Sequence, residues 1–115
     1  MLTSSVSDHV VNRRNCGPLE GATHTGQGGM DDGPYIRIHL KVEEGVIRQA
    51  SYETYGCPAA IASGSALCEL VTRRPVEKAL LLEPRDIDVV LGGLPEGKGD
   101  RPQWAVDALR RALGE

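Results

Sequence analysis

The sequence predicts an α+β domain in which helices pack on one face of a small antiparallel β-sheet of about three strands. Three observations carry that prediction. Residues 35 to 42 alternate apolar and polar side chains, and a glycine turn then leads into a second strand-like segment. From residue 58 onward, apolar residues recur at helical spacing. The two kinds of segment do not alternate, which excludes the β-α-β order of a parallel sheet.

Taken in chain order, "SSVSDHVVN" at 4 to 12 offers Val6, Val10 and Val11 on one side of a short helix, with Ser4 or Ser5 as its cap. Residues 15 to 33 are rich in Gly, Thr and Asp and read as loop, with one irregular strand near Leu19 to Thr25. "GQGGMDDGP" at 26 to 34 is expected to be flexible, as are residues 1 to 7. "YIRIHLKV" sets Ile36, Ile38, Leu40 and Val42 against Arg37, His39 and Lys41, the pattern of a strand with one buried face. "EEG" at 43 to 45 supplies a turn, and "VIRQASYETY" returns as the partner strand of a hairpin. Ala60, Gly64, Leu67 and Val71 then share a helix face, on which the small Ser63 and Gly64 allow close approach to a neighbouring layer. Further helices are expected over "PVEKALLL" and over "EPRDIDVVLGG", the latter closing at Gly92 and Gly93. A last amphipathic helix starts at Arg101, its stripe made of Trp104, Ala105, Ala108, Leu109, Ala112 and Leu113.

Length and composition set limits on function. A chain of 115 residues suits a single domain over 1–115, and its 40% apolar content, without Phe and with one Trp, implies a core of Leu, Val, Ile and Ala. A net charge of −3 without blocks of like charge gives no footprint for nucleic acid or an anionic membrane. Neither a secretory leader nor a membrane span is evident, so the chain reads as soluble and cytoplasmic. Three cysteines, none in a C-x-x-C pair, argue for reduced thiols rather than a disulfide framework or a zinc finger.

The chemically informative stretch is "YETYGCPAAIASGSAL", 52 to 67, where Cys57 stands between Gly56 and Pro58 at a strand-to-helix junction. Proline is favoured at the first helical position, which makes Cys57 the cap residue. Free N–H groups and the helix dipole there favour a thiolate, the form that attacks sulfur electrophiles and binds metals. Cysteine is also among the most buried residue types, so on these residues alone a packing role and a reactive role stand about even. Cys68, mid-helix beside Leu67 and Leu70, reads as core or as partly exposed filler, and Cys16, in the polar loop "NRRNCG", as an exposed and incidental thiol. His9, His24 and His39 are dispersed, His39 being expected on the solvated side of its strand, and Asp31 and Asp32 are expected to face water. No Ser-His-Asp order, phosphate-binding loop or dinucleotide fingerprint is present.

Three stretches together resemble one family. "DHVVNRRNCGPL" is similar to the "DHxxNPRNxGxL" opening of the iron–sulfur scaffold proteins IscU and the N-terminal domain of NifU. "IRIHLKVEEGVIRQASYETYGCPAAIASGSALCEL" resembles their hairpin and following helix, and "LGGLPEGK" their L-P-P-x-K region. The resemblance covers roughly residues 8 to 113 in order and implies the same α+β fold. It implies a scaffold or carrier rather than a turnover enzyme, a cysteine desulfurase as partner, and a transient iron–sulfur cluster held by three cysteines. Carried over residue by residue, the middle ligand is Cys57, the first ligand position falls at Asp32, and the H-C pair before the last helix is replaced by Asp100 and Arg101. Pro34 stands where the family usually has Asp. Cys57, Asp32 and Asp100 would then form a weak zinc or ferrous iron site, or two copies of Cys57 would bridge a cluster in a dimer. Leu94, Pro95 and Lys98 match the segment read by an Hsp70-type chaperone. Two other readings stay open: a SufE-like single-cysteine persulfide acceptor, in which "YGCPAA" keeps the G-C step but has Ala59 for Ser, and an adaptor domain without metal or cofactor. The chain is expected to be a monomer or a weak dimer.

Overall fold

The computed structural model describes all residues except 1–3, 5, 7, 10–14, 31, 56, 95–98 and 115. Three strands, β1 (His24–Gly29), β2 (Tyr35–Glu43) and β3 (Val46–Tyr55), form one antiparallel sheet in the order β1-β2-β3. Four helices follow: α1 (Pro58–Val71), α2 (Val76–Ala79), α3 (Pro84–Leu91) and α4 (Arg101–Ala112). The expected fold class is the one observed.

The hairpin forms as its alternation requires. Ile36, Ile38 and Leu40 are fully buried and pair across to Thr54, Tyr52 and Ala50. Glu44 and Gly45 both have positive φ (52° and 76°), the geometry of a two-residue turn whose twist matches its strands. A bulge follows, since Val42 pairs with Ile47 but Lys41 with Gln49. That extra residue brings Tyr35 opposite Tyr55 at the far end.

β1 departs from expectation. The strand spans His24–Gly29 instead of ending at Thr25, so the first part of the segment expected to be flexible is sheet. Gly26 and Gly28 are buried, and a Cβ on Gly26 would lie 2.2 Å from the carbonyl oxygen of Ala108 and 2.3 Å from the amide nitrogen of Ala112. On Gly28 it would lie 2.1 Å from the carbonyl oxygen of Trp104. The backbone of α4 therefore rests directly on the backbone of β1, and glycine is what permits it.

α1 is buried nearly all round, as expected of a helix enclosed on several sides. It packs on β3 and also meets α3 and α4, and Gly64 lets the Tyr52 ring approach to 3.0 Å of where a Cβ would be. The start of the chain, expected to be flexible over 1 to 7, is helical at Ser4 and Val6, and Val6 is fully buried in the core. His9 is buried too, its Nδ1 2.7 Å from the Ser65 hydroxyl of α1. Val10 and Val11 lie outside the described residues.

The helical piece expected over "PVEKALLL" stops at Ala79, after which Leu80 and Leu81 form a turn. α3 behaves as its sequence requires: Glu83 and Asp86 make a reciprocal capping box, and Gly92 ends the helix in the left-handed conformation, φ 72°.

Candidate functional site

Cys57 caps α1 with extended dihedrals (φ −91°, ψ 173°), and Pro58 opens the helix. Its carbonyl accepts the amides of Ala60 and Ile61 at 3.0 and 3.2 Å, while its thiol is in no disulfide and half-buried. No acidic residue stands in the first turn of α1 to oppose a thiolate at the positive end of the helix dipole.

Three separate parts of the chain meet at this end of the molecule. The sheet register sets Gly29, Tyr35 and Tyr55 side by side, so the β1–β2 loop carrying Asp32 and the β3–α1 junction carrying Cys57 leave the same edge. Trp104, Ala108 and Ala112 run along β1 from Gly29 back to Gly26, which puts the first turn of α4, with Asp100 and Arg101, at that edge as well. A cavity of about 460 Å³ opens here between Asp32, Gly33, Tyr35, Arg37, Gln27 and Tyr55. Tyr35 and Tyr55 stack with centroids 6.5 Å apart, and the Arg37 guanidinium lies 5.1 Å from the Tyr35 centroid.

The expected metal ligands share this end without forming a cluster. Among the described residues, no group of three or more His, Cys, Asp and Glu stands close enough to hold a metal ion. Asp32 is exposed and lines the cavity, whereas Asp100 is engaged by its neighbour Arg101 in an ion pair. Arg101 itself is largely covered, with a side chain 11% exposed lying 4.1 Å over the Trp104 ring and its Nε buried without a hydrogen-bond partner among the described residues. A fixed cation at this position disfavours a metal ion, and its charge is already met by Asp100.

Three features escaped the sequence reading. The Tyr35–Tyr55 stack depends on the bulge, which no local pattern announces. His39 is largely covered rather than solvated: its Nε2 is 2.6 Å from Glu53 Oε1 and its Nδ1 3.0 Å from the Thr25 hydroxyl, across three strands. Arg37 likewise donates to Gln27 Oε1 from Nε and Nη2 at 3.1 and 2.9 Å. A cross-strand pairing count with the correct register would have found both. Cys16 is exposed as expected, but its segment adds a bridge to the sheet, Gly17 N–H donating to the Tyr52 carbonyl at 2.8 Å. Cys68 is fully buried, which decides for the core over a partly exposed place. Leu94 is half-buried against the core, and Pro95 and Lys98 lie outside the described residues.

The family model of the NifU-like N terminal domain matches residues 1–115. The chain belongs to this family. Relatives of this NifU-like domain include the iron–sulfur cluster assembly scaffold protein IscU 1 of Archaeoglobus fulgidus, 37% identical over 114 residues that make up 98% of this chain and 74% of that protein. The IscU scaffold of Aquifex aeolicus is 42% identical over 94% of this chain and 71% of its own. The nitrogen fixation protein NifU of Azotobacter chroococcum is 41% identical over 84% of this chain, which spans only 32% of that longer protein. In structure, the NifU-like domain superposes on a crystal structure from Fervidobacterium islandicum with a TM-score of 0.75 at 16% identity, covering 96% of this chain and 95% of the other. The N-terminal NifU-like protein of Brucella abortus gives 0.71 at 16% identity, over 96% and 90% of the two chains. These two likenesses concern the fold alone.

Proposed function

We propose that this NifU-like domain serves iron–sulfur cluster assembly as a scaffold or carrier, with Cys57 as its sulfur-handling thiol and without a turnover reaction of its own. The single observation that supports this reading is the place of Cys57, a reduced, half-buried thiol at the N-cap of a fourteen-residue helix, at the end of the sheet where the Asp32 loop and the first turn of α4 also arrive. The cluster is cargo rather than a resident group. The donors here fit a complete cradle poorly, because clusters are held by several thiolates and only one is in place. Cys57 with Asp32 and Asp100 is the remaining candidate set for iron or zinc, and it requires Asp100 to leave Arg101.

Arg101 favours a second reading at the same cysteine, a persulfide acceptor. A cysteine desulfurase carrying Cys–S–SH would be attacked at its outer sulfur by the Cys57 thiolate. The S–S bond of the donor breaks, the new S–S bond forms on Cys57, the donor leaves as thiolate, and the proton passes to the persulfide or to water. Sulfur moves without net oxidation, and the Arg101 guanidinium at the same end of the sheet would stabilise the resulting anion once released from Asp100.

Anaerobic incubation with ferrous iron and sulfide, compared with Cys57→Ala, separates the readings. Cluster retained by the native chain and lost in the variant supports scaffolding. No cluster, but one sulfur mass added at Cys57 by an active desulfurase and cysteine, supports the carrier. Failure of both, or equal results in the variant, overturns Cys57 as the site.

A further inference from the structure

The last turn of α1, α2 and α3 enclose a groove of about 400 Å³ that the Cys57 chemistry does not use. Leu70 stands in the last turn of α1, so the groove lies about 20 Å from Cys57 at 1.5 Å per residue. Leu82 forms part of its floor, and Leu81 and Val89 stand on its walls, 71% and 78% exposed. Val90, beside them on α3, is 38% exposed. Of the five large apolar side chains most exposed in the described part of the molecule, three therefore sit on or next to this groove. Such grouping marks a contact surface rather than scattered surface residues.

The rim is cationic. Arg74 and Lys78 line it, and among the described residues neither side chain has an ion-pair partner. From beneath, Arg110 donates to the Leu82 carbonyl at 3.4 Å. Asp86, the one acid in the lining, is already engaged by the Glu83 amide at 2.8 Å in the cap of α3, while Arg85 pairs with Glu83 at 2.8 Å. An apolar trough between helices with unpaired cations at its edge is complementary to a helix with an apolar stripe flanked by carboxylates. A second copy fits worse, because a two-fold contact would set Arg74 and Lys78 against their own images.

We infer that this groove docks an acidic amphipathic helix of a protein partner, at a site remote from Cys57 and compatible with its occupation. The test uses the full chain and a fluorescein-labelled synthetic peptide of about 14 residues, with leucines at i, i+4 and i+7 and glutamates between them, beside a twin with lysine for every glutamate. Fluorescence anisotropy is expected to show saturable binding of the glutamate peptide and binding of the twin weaker by about tenfold or more. Leu81→Asp with Val89→Asp, both at exposed positions, should lower affinity for the glutamate peptide by at least about tenfold. Arg74→Glu with Lys78→Glu should reverse the preference between the peptides, a gain that misfolding cannot mimic. Cys57→Ala should bind as the native chain does. No saturable binding of the glutamate peptide, equal binding of its twin, or indifference to Leu81→Asp and Val89→Asp overturns the inference. So does a dimer in sedimentation equilibrium that Leu81→Asp abolishes, since the groove would then be filled by a second copy.

Discussion

The three cysteines hold three different environments, and the difference is one of burial and backbone position. Cys57 is half-buried at a helix start, Cys16 is exposed beside the outer edge of β3, and Cys68 is sealed in the core. Burial pushes the Cys68 thiol well above its ordinary value of 9.0, with smaller contributions in the same direction from Glu69 and Cys16. The folded state thus keeps a proton that the unfolded chain releases. This contribution to stability is intact below the unfolded value and declines as pH rises above it, by up to about 1.4 kcal/mol per pH unit. Urea unfolding at pH 8, 9 and 10 should show a decline above pH 9 that is shallower in Cys68→Ala, whatever that variant's absolute stability. Identical pH dependence of the two proteins would count against a sealed thiol. The place of Cys68 beside Leu67 and Leu70 allowed core or partial exposure, and the packing of α1 on several sides decided for the core. The state of Cys57 was likewise not legible in the sequence, since the same Gly-Cys-Pro junction serves packing and chemistry alike.

At the scale of elements, β1 shows how a glycine-rich segment can be obligatory structure. "GQGG" reads as flexible because glycine lacks strand propensity, yet Gly26 and Gly28 face α4 where no Cβ fits. Gly28→Ala is expected to destabilise the fold by about 3 kcal/mol or more, at or beyond the upper end for overpacking, because the obstacle is backbone that no rotamer relieves. Gly99→Ala is the control: nothing lies within 4 Å of a Cβ there, and its effect should stay within about 0.5 kcal/mol. Chemical denaturation of the two variants checks both values. A mild effect of Gly28→Ala would mean that α4 can lift from β1 at little cost. α3 presents the converse case. Its opening proline and terminal glycine are local signals, and they placed its ends without tertiary information. For "PVEKALLL", helical spacing continued past Ala79, but Leu81 had no core to face and the helix ended.

For the whole molecule, the fold brings together one end of the sheet, the start of α1 and the start of α4, and so assembles residues far apart in the chain. The chain folds as a NifU-like domain, whereas the thiolate set that the family resemblance implies is reduced to Cys57. If the domain still has the geometry of a cradle, restoring thiols should restore retention. Asp32→Cys with Arg101→Cys is expected to raise cluster bound after anaerobic reconstitution, measured as iron and acid-labile sulfide per chain, from substoichiometric toward one cluster, in a manner lost again with Cys57→Ala. No increase, in a variant whose circular dichroism is unchanged, would mean that these positions do not converge on Cys57 closely enough to share a ligand. No helix of the described residues is long and apolar enough to cross a membrane.

By itself the sequence determined the hairpin, the opening proline and closing glycine of α3, the last helix and the position of Cys57 at a helix start, because each is written in spacing or in turn residues a few positions apart. Only the tertiary structure decided that "GQGG" is a strand, that His39 and Arg37 are held across the sheet, and that Arg101 lies covered over Trp104 at the end where Cys57 emerges. These depend on contacts between segments distant in the chain, where shape and register rather than local preference set which residues meet.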